Sequence, residues 1–179
     1  MATFCNYIQS DKVSWCVISA SSKEWAAKVF PDAKEDEQEQ LLWEAIFKAV
    51  RADQENPVEA WRRHDENLRR KVEFLNNKKY KALHYKAPGT DLTIELHKKH
   101  IWIGGSGPNE KGVNFIANMP TEEVFTLPLK EGVNGTVSST KPLSYGGNII
   151  NNFTLTFKNG RIVDFAAEEG YETLKHPWC

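Results

Sequence analysis

The sequence predicts an α+β chain: one buried strand and three helices over residues 1–80, then a mostly antiparallel β subdomain over residues 81–179. Three observations carry this reading. Apolar residues recur at helical spacing through Leu41–Val50 and again through Val58–Leu75. After Tyr80 the texture changes, with Gly, Pro, Asn and Thr becoming frequent. Near the end, Asn159-Gly160 separates two runs of strand-like residues, and that dipeptide is the preferred type I′ hairpin turn.

Each element has a local reason. The apolar run from Lys12 to Ala20, with Val13, Trp15, Cys16, Val17 and Ile18, reads as a buried strand, although too few residues precede it for a crossover unit. Ser21-Ser22-Lys23-Glu24 matches a capping box and opens a helix carrying Trp25, Ala26, Val29 and Phe30 before Pro31. Ala33 to Gln40 is acidic and reads as exposed, and the helix of Leu41, Leu42, Ala45, Ile46, Ala49 and Val50 follows it. Asn56 caps a third helix with Pro57 at its first position, running to about Asn77. Its apolar seam of Val58, Trp61, Leu68, Val72 and Leu75 is interrupted by Asp65. A seam of this kind covers the protein's own core or meets a partner, and the first use is the commoner.

In the second half, Ala82–Ala87 and Asp91–Leu96 read as strands around the turn Pro88-Gly89, which suits type II. Ile101-Trp102-Ile103 leads into the glycine-rich run Gly104–Pro108. That run lacks the Gly-Lys-Ser/Thr ending of a phosphate cradle and no helix follows it, so it reads as a plain loop. Val124 to Leu127 starts a strand. Asn134-Gly135 marks a turn with Thr136–Thr140 leaving it, and Phe153–Lys158 with Arg161–Ala166 forms the terminal hairpin with one buried face.

Composition narrows the function classes. With 179 residues, 40% hydrophobic and 26% charged, the chain has ordinary globular make-up, enough for one large domain or two small ones. A formal charge of −1 gives no electrostatic footprint for nucleic acid or an anionic membrane. No apolar run reaches the roughly 20 residues of a membrane span, and the first ten residues lack the features of a signal peptide, so the expected location is cytoplasmic. Three cysteines, Cys5, Cys16 and Cys179, are odd in number and have no metal-type spacing, which fits reduced thiols.

Five histidines, His64, His84, His97, His100 and His176, form no close metal pair. His97 and His100 flank Lys98 and Lys99 and read as surface residues, while His84 reads as a hydrogen-bonded structural histidine or one that orients a substrate. Ser138, Ser139 and Ser144 sit in no nucleophile elbow. What remains is the tandem pair Glu122 and Glu123, between the Pro120 turn and an apolar strand. It is either a solvated acidic pair or a carboxylate held on rigid backbone, as a metal ligand or general base requires.

The residues around that pair carry a resemblance. Asn118 to Thr126 (Asn-Met-Pro-Thr-Glu-Glu-Val-Phe-Thr), Ser139 to Ile150, Leu83-His84-Tyr85, Ala87 to Thr93 and Lys12-Val13-Ser14-Trp15 resemble, in the same order, the aminopeptidase T and aminopeptidase S family of bacterial metallo-exopeptidases. The resemblance covers about Ser10 to Lys175. It implies a cytoplasmic, homodimeric aminopeptidase that removes residues from the free amino end of peptides with two divalent metal ions (zinc, cobalt or magnesium) activating a water. It also implies that Glu123, the second glutamate of Pro-Thr-Glu-Glu-Val-Phe, is a metal ligand. Glu122, pointing the other way on an extended segment, is the weaker candidate. No catalytic residue other than this ligand is implied within the chain. In that family a large α/β region precedes the strand at Lys12–Ala20, and the other ligands, a further glutamate with histidine, tyrosine and aspartate, lie beyond the hairpin ending near Ala167. The expectation is therefore an internal fragment of a larger α/β plus α+β protein, inactive alone. The alternative is a non-catalytic peptide-binding or assembly module derived from such an enzyme.

Overall fold

A computed structural model describes residues 2–175, with the side chains of Ala2 and Thr3 left out; His176 and Cys179, the last histidine and the last thiol, lie outside the described residues. In chain order the first elements are α1 (Ala2–Gln9), β1 (Val17–Ile18), α2 (Lys23–Val29), α3 (Glu35–Ala49), α4 (Pro57–Lys78), β2 (Ala82–Ala87) and β3 (Thr90–Leu96). Short strands follow: β4 (Ile103–Gly104), β5 (Gly107–Pro108), β6 (Asn114–Phe115), β7 (Asn118–Met119) and β8 (Val124–Phe125). The chain ends with β9 (Pro128–Ser138), β10 (Leu143–Tyr145), β11 (Asn148–Ile150), β12 (Thr154–Lys158), β13 (Arg161–Ala166) and α5 (Tyr171–Lys175). These divide into two units, Met1–Phe74 with Trp102–Phe125, and Leu75–Ile101 with Thr126–Cys179.

The first unit is built on helices. Ser22, one residue later than the expected cap, is the N-cap of α2, its hydroxyl accepting from the Trp25 N–H at 3.3 Å. The Glu24 carboxyl is held below its ordinary value by a backbone hydrogen bond and by the Ser22 hydroxyl, but with Ser22 as the cap the third helical position is Trp25, so the expected capping box of Ser21 and Glu24 gives way to a simple serine cap. Helix α3 begins at Glu35, not at Leu41. The acidic run expected as an exposed lead-in supplies its first turn, Glu35, Asp36 and Glu37, where the helix dipole favours carboxylates. Ala26 from α2 and Leu42 and Ile46 from α3 form a buried cluster, flanked by Phe30 and Trp43. In α4 the Asn56 side-chain oxygen Oδ1 accepts from the Glu59 N–H at 3.1 Å, as an N-cap should, and Leu68 is its buried residue.

Two departures concern the N-terminal segment. Helix α1 has no counterpart in the sequence reading, because the segment carries no cap or stop signal. The expected buried strand from Lys12 to Ala20 is two residues long, and Val17 and Ile18 are 58% and 67% exposed. It runs parallel to β7 along one edge, Val17 opposite Asn118 and Ile18 opposite Met119. With a neighbour on one side only among the described residues, the apolar side chains have nothing to be buried against.

The second unit is a five-stranded sheet in the order β13-β12-β9-β3-β2, every neighbouring pair antiparallel. The Pro88-Gly89 turn closes the β2–β3 hairpin with Gly89 at φ +72°, the left-handed value its turn position needs. Asn159 and Gly160 both have positive φ, 50° and 74°, as a type I′ turn demands. Asn134-Gly135 is not a turn: both residues lie inside the eleven-residue strand β9. Gly135, at φ +113°, is there because a Cβ would run into the Asp91 carbonyl oxygen of β3, a close backbone approach that the sequence signal does not distinguish from a turn. Leu92, Leu96, Ile150 and Leu174 are the buried apolar side chains of this unit among the described residues. The α+β reading with a mostly antiparallel second half therefore holds.

Candidate functional site

The segment from Asn118 to Phe125 belongs to the first unit and is fixed at both ends by strand pairs only two residues long. At its start β7 pairs with β1; the Met119–Pro120 peptide that follows is cis. At its end β8 pairs antiparallel with β4, placing Gly104 opposite Val124 and Ile103 opposite Phe125. A Cβ on Gly104 would lie 2.6 Å from the Glu123 carbonyl oxygen, so a side chain at this position of the glycine-rich run would push the acidic segment away.

The two glutamates differ in what they touch. Glu122 takes a two-pronged ion pair from Arg51, Nη1 to Oε1 at 2.7 Å and Nη2 to Oε2 at 3.1 Å, and its Oε2 lies 3.5 Å from His64 Nε2. The Arg51 guanidinium holds the Glu122 carboxyl below the ordinary value, helped by the nearby His64, while partial burial acts in the opposite sense. Glu123 is exposed, and its carboxylate has no hydrogen-bond or ion-pair partner among the described residues. It lines two adjoining spaces of the first unit, a groove of about 460 Å³ shared with Asp11, Ser106 and Phe125 and a shallower one of about 310 Å³ shared with Val17 and Asn118.

Behind Glu122 stands a cluster that residue-by-residue reading of the sequence missed. His64 Nε2 lies 2.6 Å from the Thr121 carbonyl oxygen and its Nδ1 lies 3.3 Å from Arg51 Nη2. Trp61 meets the His64 ring edge-on at 5.6 Å, sits 5.4 Å under the Arg51 guanidinium, and donates its Nε1–H to the Val50 carbonyl at 2.6 Å. Asp65, the residue that interrupts the α4 seam, accepts from the Ser106 N–H at 2.6 Å and from the Ser106 hydroxyl at 2.8 Å. It therefore anchors the Gly104–Pro108 loop. The break in the apolar seam was the one available signal of that role; nothing in the spacing announced Arg51 or His64.

The other histidines lie elsewhere. His84 is in the second unit, where its Nε2 lies 2.8 Å from Asp91 Oδ1 in an exposed contact across β2 and β3, and this hydrogen bond holds the Asp91 carboxyl below its ordinary value. His97 accepts from the Lys99 N–H at 3.1 Å, and His100 Nδ1 lies 2.8 Å from the His97 carbonyl, so both serve a local turn. Cys5 and Cys16 are free and exposed. Among the described residues no group of three or more His, Cys, Asp and Glu side chains is placed to hold a metal ion, and no helix is long and apolar enough to cross a membrane.

Comparison with known proteins adds three findings. A family model described as thermophilic metalloprotease (M29) matches residues 1–177. Aminopeptidase AmpS of Bacillus subtilis is 64% identical over 173 residues, 97% of this chain and 42% of the relative; aminopeptidase T of Thermus thermophilus is 43% identical over 162 residues, 90% of this chain and 40% of the relative. The solved structure of wild-type AmpT from Thermus thermophilus superposes with a TM-score of 0.87 at 38% identity, covering 96% of this chain and 42% of that one. The chain thus spans about two fifths of the length of the relatives it matches.

Proposed function

Because the chain belongs to the thermophilic metalloprotease (M29) family, we propose that it carries part of a metal-dependent aminopeptidase acting on the free amino end of peptides, and that Glu123 is its metal ligand. The observation that supports this is the division of labour within the acidic pair. The Glu122 carboxylate is occupied by Arg51, whereas that of Glu123 is unengaged at the rim of a groove. A hydrolytic metal ion takes about three protein donors, and the described residues offer no such group. They do not fit a complete site, and on this reading the chain alone is inactive. In the same proposal, two divalent ions of the zinc, cobalt or magnesium type are held jointly by Glu123 and donors from the part of the family architecture that this chain does not span. A cytoplasmic homodimer is the working form.

A second reading, a non-catalytic peptide-binding or assembly module, draws on the exposed apolar residues of β1, which pairs along one edge only among the described residues. Light scattering separates the two: a monodisperse monomer that stays monomeric at high concentration counts against the assembly reading.

The direct test replaces the matching segment of the Bacillus subtilis relative with this chain, at the 64% identity that favours a folded chimera. An active chimera that loses peptidase activity on Glu123→Ala supports the assignment. Full activity in that variant removes Glu123 from the metal site. The 179-residue chain itself should show no turnover of an aminoacyl anilide with zinc, cobalt or magnesium.

A further inference from the structure

Glu123 is confined from both sides by residues that do not bond its carboxylate. On the C-terminal side, its carbonyl oxygen faces the bare backbone of Gly104 and the next residue, Val124, is paired in β8. On the N-terminal side, the Thr121 carbonyl is bonded to His64 and the Glu122 carboxylate to Arg51. Arginine has only donors to offer and a carbonyl oxygen only accepts, so the His64 tautomer that satisfies both neighbours carries its proton on Nε2 and accepts from Arg51 at Nδ1. Thr121, Glu122, Arg51 and His64 thereby form one closed hydrogen-bonded ring of groups, backed by Trp61.

Arg51 also sits where a side chain is costly. It follows Val50, the C-cap of α3, with φ +58°, the left-handed conformation that usually takes glycine after a helix. A glycine here would relieve the backbone, and what the arginine adds instead is its side chain's contacts with Glu122, His64 and Trp61. We infer that Arg51 and His64 are positioning residues for Glu123: by fixing the carboxylate of Glu122 and the carbonyl of Thr121, they hold the next side chain toward the groove it lines. This rests on the reading of Glu123 as a metal ligand, because a donor displaced by about an ångström can cost on the order of a hundredfold in rate.

Arg51→Gly is the discriminating variant, since it removes the clamp while relieving the left-handed backbone. In the 179-residue chain, NMR should show the Thr121, Glu122 and Glu123 amides shifted and broadened by exchange, with the Ala26, Leu42 and Ile46 resonances of the α2–α3 cluster unmoved. Ring-nitrogen shifts should report the Nε2–H tautomer of His64 in the wild type and its averaging in the variant. In the chimera, kcat should fall about a hundredfold while KM changes less than about threefold. Arg51→Lys should not restore kcat, because a single ammonium cannot span both Glu122 oxygens. If Arg51→Gly fails to fold, Arg51→Lys carries the same NMR and kinetic expectations. Sharp, unshifted Thr121–Glu123 signals, or a kcat loss matched by the rise in KM, would overturn the inference. Activity surviving Glu123→Ala would instead overturn the metal reading, so the two failures are separable.

Discussion

The five-stranded sheet and the segment carrying Glu123 are held by different kinds of bond, and the difference governs what each tolerates. In the sheet, strands of five to eleven residues pair along backbone ladders, two of them joined by tight turns and two carrying a register shift. Around Glu123 the strands are two residues long, too short for a ladder to fix the intervening loop. Side chains do that instead, reaching across 71 residues of sequence from Arg51 to Glu122, 57 from His64 to Thr121 and 41 from Asp65 to Ser106. The sheet should therefore break when its backbone is perturbed, and the site region when single polar side chains are removed.

The largest effect should come from Gly160→Ala. Gly160 holds φ +74°, donates its N–H to the Val133 carbonyl, and would drive a Cβ into the Lys130 carbonyl of β9. A non-glycine residue there is strained twice, so a loss of about 2–4 kcal/mol is expected in urea unfolding. Slowed hydrogen exchange in β9 and β12 should be lost with it. A change below about 0.5 kcal/mol, the scale of an ordinary surface substitution, would mean that the hairpin tip is not bound to its neighbour strand in this way.

Next in size is Asp65→Ala, the matching break on the other side. It leaves the part-buried Ser106 N–H and hydroxyl without their acceptor, which costs about 1–3 kcal/mol when no water replaces it. Asp65→Asn should recover most of that, since one carbonyl oxygen still accepts from the Ser106 N–H. Equal losses for Ala and Asn would show that the charge, shared with Arg69 at 3.4 Å, matters more than the hydrogen bonds.

The same difference explains what the sequence disclosed. Hairpins at Pro88-Gly89 and Asn159-Gly160 are local events, and their turn residues announce them within four positions. Helix starts at Ser22 and Asn56 are equally local. Asn134-Gly135 misled because a glycine demanded by a neighbouring strand and one demanded by a turn have the same letter. Glu123 was singled out through the run of motif residues around it, and its role as a ligand stays a proposal. Arg51, His64 and Asp65 were not, because their partners lie tens of residues away and neither periodicity nor spacing encodes that contact.

A smaller effect should follow pH. Glu122 has its folded-state value depressed by Arg51, so the stability it contributes is fully present above the unfolded value near 4.5 and lost as pH falls through the lower folded value. Because the Glu122 side chain is 56% exposed, solvent screening limits the contribution to less than about 1 kcal/mol. The difference in melting temperature between wild type and Glu122→Gln should stay constant from neutral pH down to about 5 and shrink below that. A difference that grew on acidification would give the opposite sign and count against the ion pair.

The smallest effect sharpens the contrast from the sheet side. Thr136 and Thr156 face each other across β9 and β12, their hydroxyls 3.1 Å apart and part-buried. If the backbone ladder carries this region, replacing both by valine removes a side-chain hydrogen bond without leaving an orphaned group and keeps β-branched side chains of similar shape. The double variant should then lie within about 0.5 kcal/mol of the wild type, while Thr136→Val alone, which strands the Thr156 hydroxyl, costs about 1 kcal/mol. A double-mutant cycle measures the coupling directly. Should the double variant prove as costly as Asp65→Ala, side chains would be holding the sheet as they hold the Glu123 segment, and the distinction between the two regions would fall.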